Sequence, residues 1–333
     1  MYKKSLIITL TLIIGFFALI LWFKYVDLKS VFSGFTDLNY AYVTMSALLY
    51  LMSYFVRSLR WKVLLENKIK LSITQAFFIM MGGNFTNYLI PLRAGDLMRS
   101  FFIKKISGVR ISETLPSVFI DKLFDMIGIF VVFILILVLR IQLPTILNYL
   151  LLLITALFVL SVLILVGSVK KHEGIISLLK KIFFFIPKRM EQKFERVLSA
   201  FISGLNLFKG RKRVLSVSII YSLLATFLDG AFFYAGFFAF NISISFFYVL
   251  LGYTLIFLSY IIPHPPAQLG SNEWMMVLIF GVGFGMEVSG ISKVMLFSHL
   301  LTGLLIVVFG LISYSYAGVR LLNVFKQGEE LNE

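Results

Sequence analysis

The chain contains no cysteine. Disulfide frameworks, thiolate metal sites and thiol nucleophiles are therefore excluded. Charge is scarce as well: 14% of the 333 residues are charged, where soluble domains carry about 25%. Histidine is limited to His172, His264 and His299, which do not share a metal-ligand spacing. There is no G-x-S-x-G, no P-loop and no G-x-G-x-x-G in a βαβ context. These absences exclude a water-soluble enzyme, and no cofactor or resident metal is expected.

What is present is apolar. Hydrophobic residues make up 59% of the chain and the mean hydropathy is +0.95. No fold of this size hides that much surface from water, but a bilayer does. At about 20 apolar residues per spanning helix, there is room for roughly six to eight crossings.

Apolar segments run at about 5–23, 40–56, 73–90, 114–139, 145–167, 214–240, 244–262, 274–286 and 291–319. The first follows Lys3 and Lys4, and no small-residue cleavage site precedes Lys24, so it reads as an uncleaved helix rather than a signal peptide. Residues 26–38 place Leu28, Val31, Phe32, Phe35 and Leu38 on one stripe. That piece is too short to span and reads as an interfacial helix. Segment 73–90 runs into Pro91-Leu92-Arg93-Ala94-Gly95-Asp96, and segment 244–262 into Pro263-His264-Pro265-Pro266-Ala267-Gln268-Leu269-Gly270. Proline removes a helix hydrogen bond and clashes with the preceding turn. Backbone opened in this way at membrane depth survives only inside protein or along a wet cavity. Both regions are therefore expected to be re-entrant or broken helices.

The 31 Lys+Arg and 16 Asp+Glu give a net charge of +15. Segment 57–70 carries Arg57, Arg60, Lys62, Lys68 and Lys70 against Glu66 alone, and segment 169–213 carries 12 basic residues against Glu173, Glu191 and Glu195. Both are expected to be cytoplasmic. With both termini cytoplasmic, only Lys24, Lys29, Arg140 and Lys293 fall near the outer side. The basic excess is thus a topology signal rather than a nucleic-acid signal, with binding of anionic lipid as a further reading. The predicted fold is an all-α integral membrane bundle in the cell membrane, a single membrane domain over 1–333. It has about six full crossings and two re-entrant or broken helices. Residues 1–39 hold the first helix and the interfacial helix, 40–168 a first repeat, 169–213 a basic amphipathic linker, 214–320 a second repeat and 321–333 a tail. Within the linker, Met190, Phe194, Val197, Leu198, Phe201, Leu205 and Phe208 recur at helical spacing.

The repeat rests on Tyr88-Leu89-Ile90-Pro91 and Tyr260-Ile261-Ile262-Pro263. Each ends an apolar segment and is followed by a glycine and an acid, Gly95 with Asp96 and Gly270 with Glu273. Each is preceded by one crossing and followed by another. The preceding crossings run in opposite directions, so the repeats are inverted. Inverted repeats with interrupted helices point to a transport site near the midplane.

Charges at membrane depth cost several kcal/mol and face a cavity or a partner. The candidates are Arg57, Arg60, Arg93, Asp96, Arg99, Asp121, Lys122, Asp125, Asp229, Glu273, Glu287 and His299. Arg93 and Arg99 flank Asp96. Either the guanidinium groups bind a lipid phosphate bidentately, or Asp96 caps the returning half-helix and the arginines anchor at headgroups. Glu273 reads either as a cap or as a titratable acid beside the path. Asp121 and Asp125 lie at i and i+4 on one helix face, beside Lys122. Asp229 needs a partner, for which Arg57, Arg60 and Lys122 are available. His299 reads as a hydrogen-bonded interior residue.

Arg60-Trp61, Asn84, Pro91, Arg93, Gly95-Asp96, Arg99, Asp121-Lys122, Asp125, Pro266, Gly270 and Glu273 together resemble the lysylphosphatidylglycerol synthase transmembrane, or flippase-like, family. That family shows an R-W pair and P-x-R-x-G-E-x-x-R, E-R-x-x-D and P-G-G-L-G-x-x-E stretches. Here Asp96 replaces the first glutamate, Asp121-Lys122 replaces the E-R pair, and Ala267 and Gln268 replace two glycines. The resemblance covers about residues 5–320. It implies a protein that moves or presents a polar lipid, without the soluble aminoacyl-transfer domain needed for lysyl-lipid synthesis. The residues expected at the substrate are Arg60, Asn84, Arg93, Asp96, Arg99, Asp121, Lys122, Asp125 and Glu273 of this pattern, with Asp229 added for its charge at membrane depth.

The functional expectation is translocation of a polar, anionic or polyprenyl-linked lipid, without catalysis and without nucleic acid. Two alternatives stand beside it. One is a membrane enzyme acting on a polyprenyl phosphate, with Asp121 and Asp125 holding Mg²⁺, although no second aspartate-rich stretch occurs. The other is a non-transporting scaffold of an envelope-assembly complex.

Overall fold

The structure, a computed structural model, describes residues 2–90, 94–169, 211–260 and 264–319. Pro91, Arg93, Pro263, nearly all of the basic 169–213 segment and the 321–333 tail lie outside the described residues. All regular structure among the described residues is helical. The helices are α1 (Tyr2–Tyr25), α2 (Leu28–Ser33), α3 (Tyr40–Leu65), α4 (Ile73–Leu89), α5 (Ala94–Ser107), α6 (Ile111–Val138), α7 (Thr145–Val169), α8 (Lys212–Ala239), α9 (Phe246–Ser259), α10 (Ser271–Met276) and α11 (Val288–Tyr316). A π-helical stretch, Val277–Gly283, continues α10.

Among the described residues, α8 and α11 are long and apolar enough to cross a membrane. The stretch Thr9–Tyr25 of α1, taken with Leu28–Asp37, makes a third such unit, bent by 86°. That bend sets α2 at right angles to α1, and the Asp27 carboxylate caps it by accepting from the Ser30 N–H at 3.3 Å. The outer surface is apolar: Ile13, Phe16 and Phe17 of α1, Leu153 of α7 and Leu300 and Leu304 of α11 are exposed.

Helices α3 and α8 form the central antiparallel pair. Buried Ser46, Tyr50, Ser53, Arg57, Arg60 and Leu64 recur alternately four and three residues apart along α3. Ser218, Ser222, Ala225, Asp229, Phe232 and Gly236 do the same along α8. This spacing keeps one face of each helix on the other, and small residues let the backbones approach. The serine hydroxyls of α3 complete the contact: Ser46 donates to the Phe232 carbonyl and Ser53 to the Ala225 carbonyl, each at 3.4 Å.

The bundle has two ends. At one, the Asn39 N–H donates to the Ala239 carbonyl at 3.1 Å, the Ser30 and Ser289 hydroxyls lie 2.8 Å apart, and the Tyr248 hydroxyl donates to the Gln142 carbonyl at 2.6 Å. At the other, Arg211 pairs with Glu66 at 2.6 Å. Glu66 of the first basic segment and Arg211, near the close of the second, therefore meet at this end. Helices α4 and α5 form a hairpin whose outer ends join α3 and α6 at the Arg211 end. Ser72 and Gln75 fix the start of α4 by a reciprocal capping box. Helix α9 and the α10–π unit enter from the opposite end, joining α8 and α11. The two breaks thus approach each other from opposite ends.

The α4–α5 hairpin is tight because Gly95 packs against the Gly83 carbonyl and Asn87. A methyl group at Gly95 would collide with that carbonyl. Gly95→Ala is expected to lower stability by about 1–3 kcal/mol, the usual cost of overpacking, seen as a lower thermal midpoint in detergent.

Candidate functional site

A cavity of about 380 Å³ opens inside the bundle. Its wall takes Asn84, Asn87, Ile90, Asp96 and Arg99 from around the first break and Tyr260, His264, Pro265, Gln268 and Asn272 from around the second. Helices α3, α6, α8, α9 and α11 supply the rest, including Arg57, Asp121, Lys122, Asp125, Asp229 and Tyr253. The two proline-containing breaks therefore share one polar chamber.

The charges around it meet one another. Asp229 of α8 accepts both arms of Arg57, with Nη1 on Oδ1 at 3.2 Å and Nη2 on Oδ2 at 2.5 Å. It also accepts from Ser53 and from the Tyr253 hydroxyl, each at 2.5 Å. Arg57 further donates to Ser53 and lies 3.5 Å from Asp125. Arg60, with no exposed surface, spends its whole guanidinium: Nε on Asp121 at 2.8 Å, Nη1 on Ser222 at 2.9 Å and Nη2 on Asp125 at 2.7 Å. Asp121 takes a second cation, Arg99 Nη1, at 2.9 Å. The Arg99 guanidinium lies 4.1 Å over the Trp61 ring, and its Nε and Nη2 have no hydrogen-bond acceptor among the described residues. The electron-rich face of indole compensates in part. The Trp61 N–H is held by Ser117 at 3.1 Å.

Lys122 is the most accessible of these cations, its side chain 34% exposed. It stands 3.3 Å from Asp96 and 3.9 Å from Asp125. At the start of α5 the Asn87 Oδ1 accepts from the Gly95 N–H at 2.7 Å across the break, while its Nδ2 reaches Asp96 at 3.4 Å.

Glu273 is buried and turned away from its own helix start. Its Oε1 meets His299 Nδ1 at 2.5 Å, and its Oε2 has no partner among the described residues. His299 Nε2 meets the Ala267 carbonyl at 2.7 Å. The ring thus ties α11 to the second break, with Nε2–H donating to the Ala267 carbonyl and Nδ1 facing the Glu273 carboxylate. Ala267 and Gln268 hold φ of 55° and 58°, the region that glycine favours. A left-handed conformation costs other residues roughly 1–2 kcal/mol each. The turn therefore keeps a glycine-like path without glycine, held there by His299.

Of the residues expected from sequence, Asp96, Arg99, Asp121, Lys122, Asp125 and Asp229 surround the chamber, together with Asn84, whose Nδ2 donates to the Tyr50 hydroxyl at 3.1 Å. Arg60 lies directly behind the wall. Glu273 lies behind the second break, and Arg93 falls outside the described residues. Sequence reasoning missed Tyr50, Ser53, Tyr253, Asn87, Gln268 and Asn272. For Tyr50 and Ser53 a signal existed, the four-three recurrence of polar residues that continues through Arg57 and Arg60.

Residues 6–310 match the family described as the lysylphosphatidylglycerol synthase TM region. A stretch of 122 residues is 29% identical to glycosyltransferase AglD of Haloferax volcanii; it takes in 35% of this chain and only 19% of that relative's length. A UPF0104 membrane protein of Methanocaldococcus jannaschii is 25% identical over 69% of this chain and 93% of its own. Another, from Methanothermobacter thermautotrophicus, is 27% identical over 79% of this chain and 80% of its own.

Removing Asp121 would take from buried Arg99 its ion-pair partner among the described residues and from buried Arg60 one of its two carboxylates. Asp121→Ala is therefore expected to cost about 3–5 kcal/mol, and Asp96→Ala, facing the chamber, under about 1 kcal/mol. Unfolding in detergent measures both; equal losses would contradict the assignment.

Proposed function

Because the chain belongs to the lysylphosphatidylglycerol synthase transmembrane family, we propose that it carries the polar headgroup of a membrane lipid across the bilayer through this chamber. The carrying observation is the convergence of two chain breaks, from opposite ends of an apolar bundle, on one polar cavity. The headgroup would occupy the cavity while the acyl or prenyl tails stay in lipid.

In this reading α1, α3, α6, α7, α8 and α11 cross the bilayer, and α4–α5 and α9–α10 are re-entrant. Helices α3, α6 and α7 have 26, 28 and 25 residues. At 1.5 Å per residue each exceeds the roughly 30 Å hydrocarbon core. The charges of α3 and α6 face inward, which makes them tolerable at that depth. The inverted repeat is supported by the packing. Exchanging α3 with α8, α4 with α9 and α6 with α11 turns the α4–α11 contact into α9–α6 and the α6–α8 contact into α11–α3, and all four occur. Two similar units facing opposite ways give inward-open and outward-open states of comparable energy. The positive-inside rule places the Arg211 end, and with it both termini, in the cytoplasm of a cell membrane.

Lys122 is the residue assigned to an anionic part of the headgroup. It is exposed to the chamber, and its partner Asp96 is itself open to exchange. Arg99 is buried, with Nη1 on Asp121 and its face on Trp61, so it is read as part of the wall, its Nε and Nη2 having no acceptor among the described residues. Arg93, next to this wall in sequence, is a second cation for the same role. The rival reading, Mg²⁺ held by Asp121 and Asp125, is disfavoured because Arg57, Arg60 and Arg99 already surround those carboxylates.

The test is transport by purified protein in vesicles, followed by quenching of fluorescent lipids in the outer leaflet. Wild type is expected to expose lipid from the inner leaflet. Lys122→Ala should slow this at least about tenfold, the equivalent of one charge-assisted hydrogen bond, while inserting normally. Wild-type protein that moves no lipid, or Lys122→Ala moving lipid at the wild-type rate, would defeat the respective claim.

A further inference from the structure

We infer that the headgroup read by this cavity is a neutral polyhydroxylated one, a sugar, and that Gln268 is the residue that reads it. The inference rests on the headgroup-carrying role proposed above and deepens it by naming the substrate class.

The first observation is charge balance. Arg57, Arg60, Arg99 and Lys122 are matched in number by Asp96, Asp121, Asp125 and Asp229, and each cation lies within ion-pair distance of at least one of these carboxylates. Among the described residues the wall is thus electrically neutral. A doubly cationic headgroup such as a lysyl ester finds only carboxylates that are already paired. A multiply charged anion finds Arg57 and Arg60 already paired and, on Arg99, only the buried Nε and Nη2 unclaimed among the described residues. What stays available is the exposed ammonium of Lys122, suited to the single negative charge of a phosphodiester linking a headgroup to its tail.

The second observation is what the rest of the wall offers. Asn84, Asn87, Gln268 and Asn272 are planar amides, and each has two donor hydrogens and two acceptor lone pairs. They are incompletely used. Gln268 Oε1 accepts from Asn272 Nδ2 at 2.7 Å and from the Tyr260 hydroxyl at 3.3 Å. Its Nε2 meets no acceptor among the described residues. A planar amide that presents a donor beside an acceptor matches two adjacent hydroxyls of a sugar, each of which is both donor and acceptor.

The third observation lies beside the amides. Rings form an unbroken ribbon along α9: Phe233 to Tyr253 at 5.7 Å, Tyr253 to Phe257 at 6.0 Å, Phe257 to Tyr260 at 5.8 Å and Tyr260 to His264 at 5.0 Å. The π-face of an aromatic ring carries partial negative charge and attracts the slightly positive C–H face of a pyranose. The rings and the amides both line the chamber, and a sugar has partners for each. A bare phosphate, which only accepts, uses neither ring faces nor amide oxygens.

Gln268 is singled out by its backbone. It holds φ of 58° next to Ala267 at 55°, a conformation that glycine adopts without strain. A side chain kept at such a position against its backbone preference points to a role for that side chain.

This gives a variant that separates folding from recognition. Gln268→Gly relieves the backbone and removes the amide, so a merely structural Gln268 predicts equal or higher stability and unchanged transport. Wild type and variant are reconstituted in vesicles with fluorescent glucosyl-diacylglycerol, polyprenyl-phosphate glucose, lysyl-phosphatidylglycerol or phosphatidylglycerol. Thermal midpoints in detergent are read with and without methyl glucoside. The expected result is that at least one glycolipid moves about tenfold faster than phosphatidylglycerol, the effect of roughly one to two hydrogen bonds. Gln268→Gly should abolish that preference without lowering the midpoint. Which glycolipid moves identifies the tail. Equal or faster movement of lysyl-phosphatidylglycerol or phosphatidylglycerol overturns the sugar inference and leaves lipid transport standing. Methyl glucoside raising the wild-type midpoint but not that of Gln268→Gly, with no lipid moved, keeps the sugar site and overturns transport. A preference that survives in Gln268→Gly overturns the role of that residue.

Discussion

A guanidinium without a counter-charge is hardest to keep in an apolar bundle, and the interior of this protein is organised around that difficulty. Arg57 and Arg60 enter on α3, Asp121 and Asp125 on α6, Asp229 on α8 and Arg99 on α5. Each helix supplies what another needs. The register of the bundle follows, because sliding any of these helices by one turn, about 5.4 Å, would break several ion pairs at once. Buried ion pairs stabilise little relative to well-packed apolar residues, but removing one partner is costly. The network therefore specifies which arrangement forms more than it adds to overall stability.

The two breaks solve a related problem for the backbone. An interrupted helix leaves amide groups without intrahelical partners. At the first break Asn87 reaches across to the Gly95 N–H, and at the second His299 takes the Ala267 carbonyl. Both solutions use side chains at the edge of the chamber, so the groups that repair the backbone also shape the space a headgroup would enter. The polar interior and the broken helices are one construction.

The helical segments and both interruptions were legible in the sequence, because apolar run length and proline placement are local signals. So was the grouping of Arg60, Asp96, Arg99, Asp121, Lys122 and Asp125, through their charge at membrane depth and their family spacing. The pairings were not. Nothing local says that Arg57 rather than Lys122 meets Asp229, or that Arg99 lies on Trp61, since these contacts depend on helix rotation and join distant parts of the chain. Asp96 and Glu273 each sit where a helix cap would, and only the fold shows their carboxylates turned elsewhere, toward Lys122 and His299. Ala267 and Gln268 stand where the family pattern has two glycines, and they keep a left-handed turn because tertiary contacts hold it.

Helix α1 is fastened to the second break. Gly15 lies against Pro265, Gly270 against the Gly15 carbonyl, and the Trp274 N–H donates to the Ala18 carbonyl at 2.8 Å. The two are therefore mechanically linked: any rearrangement of the Pro265–Gly270 elbow must drag the amino-terminal helix along.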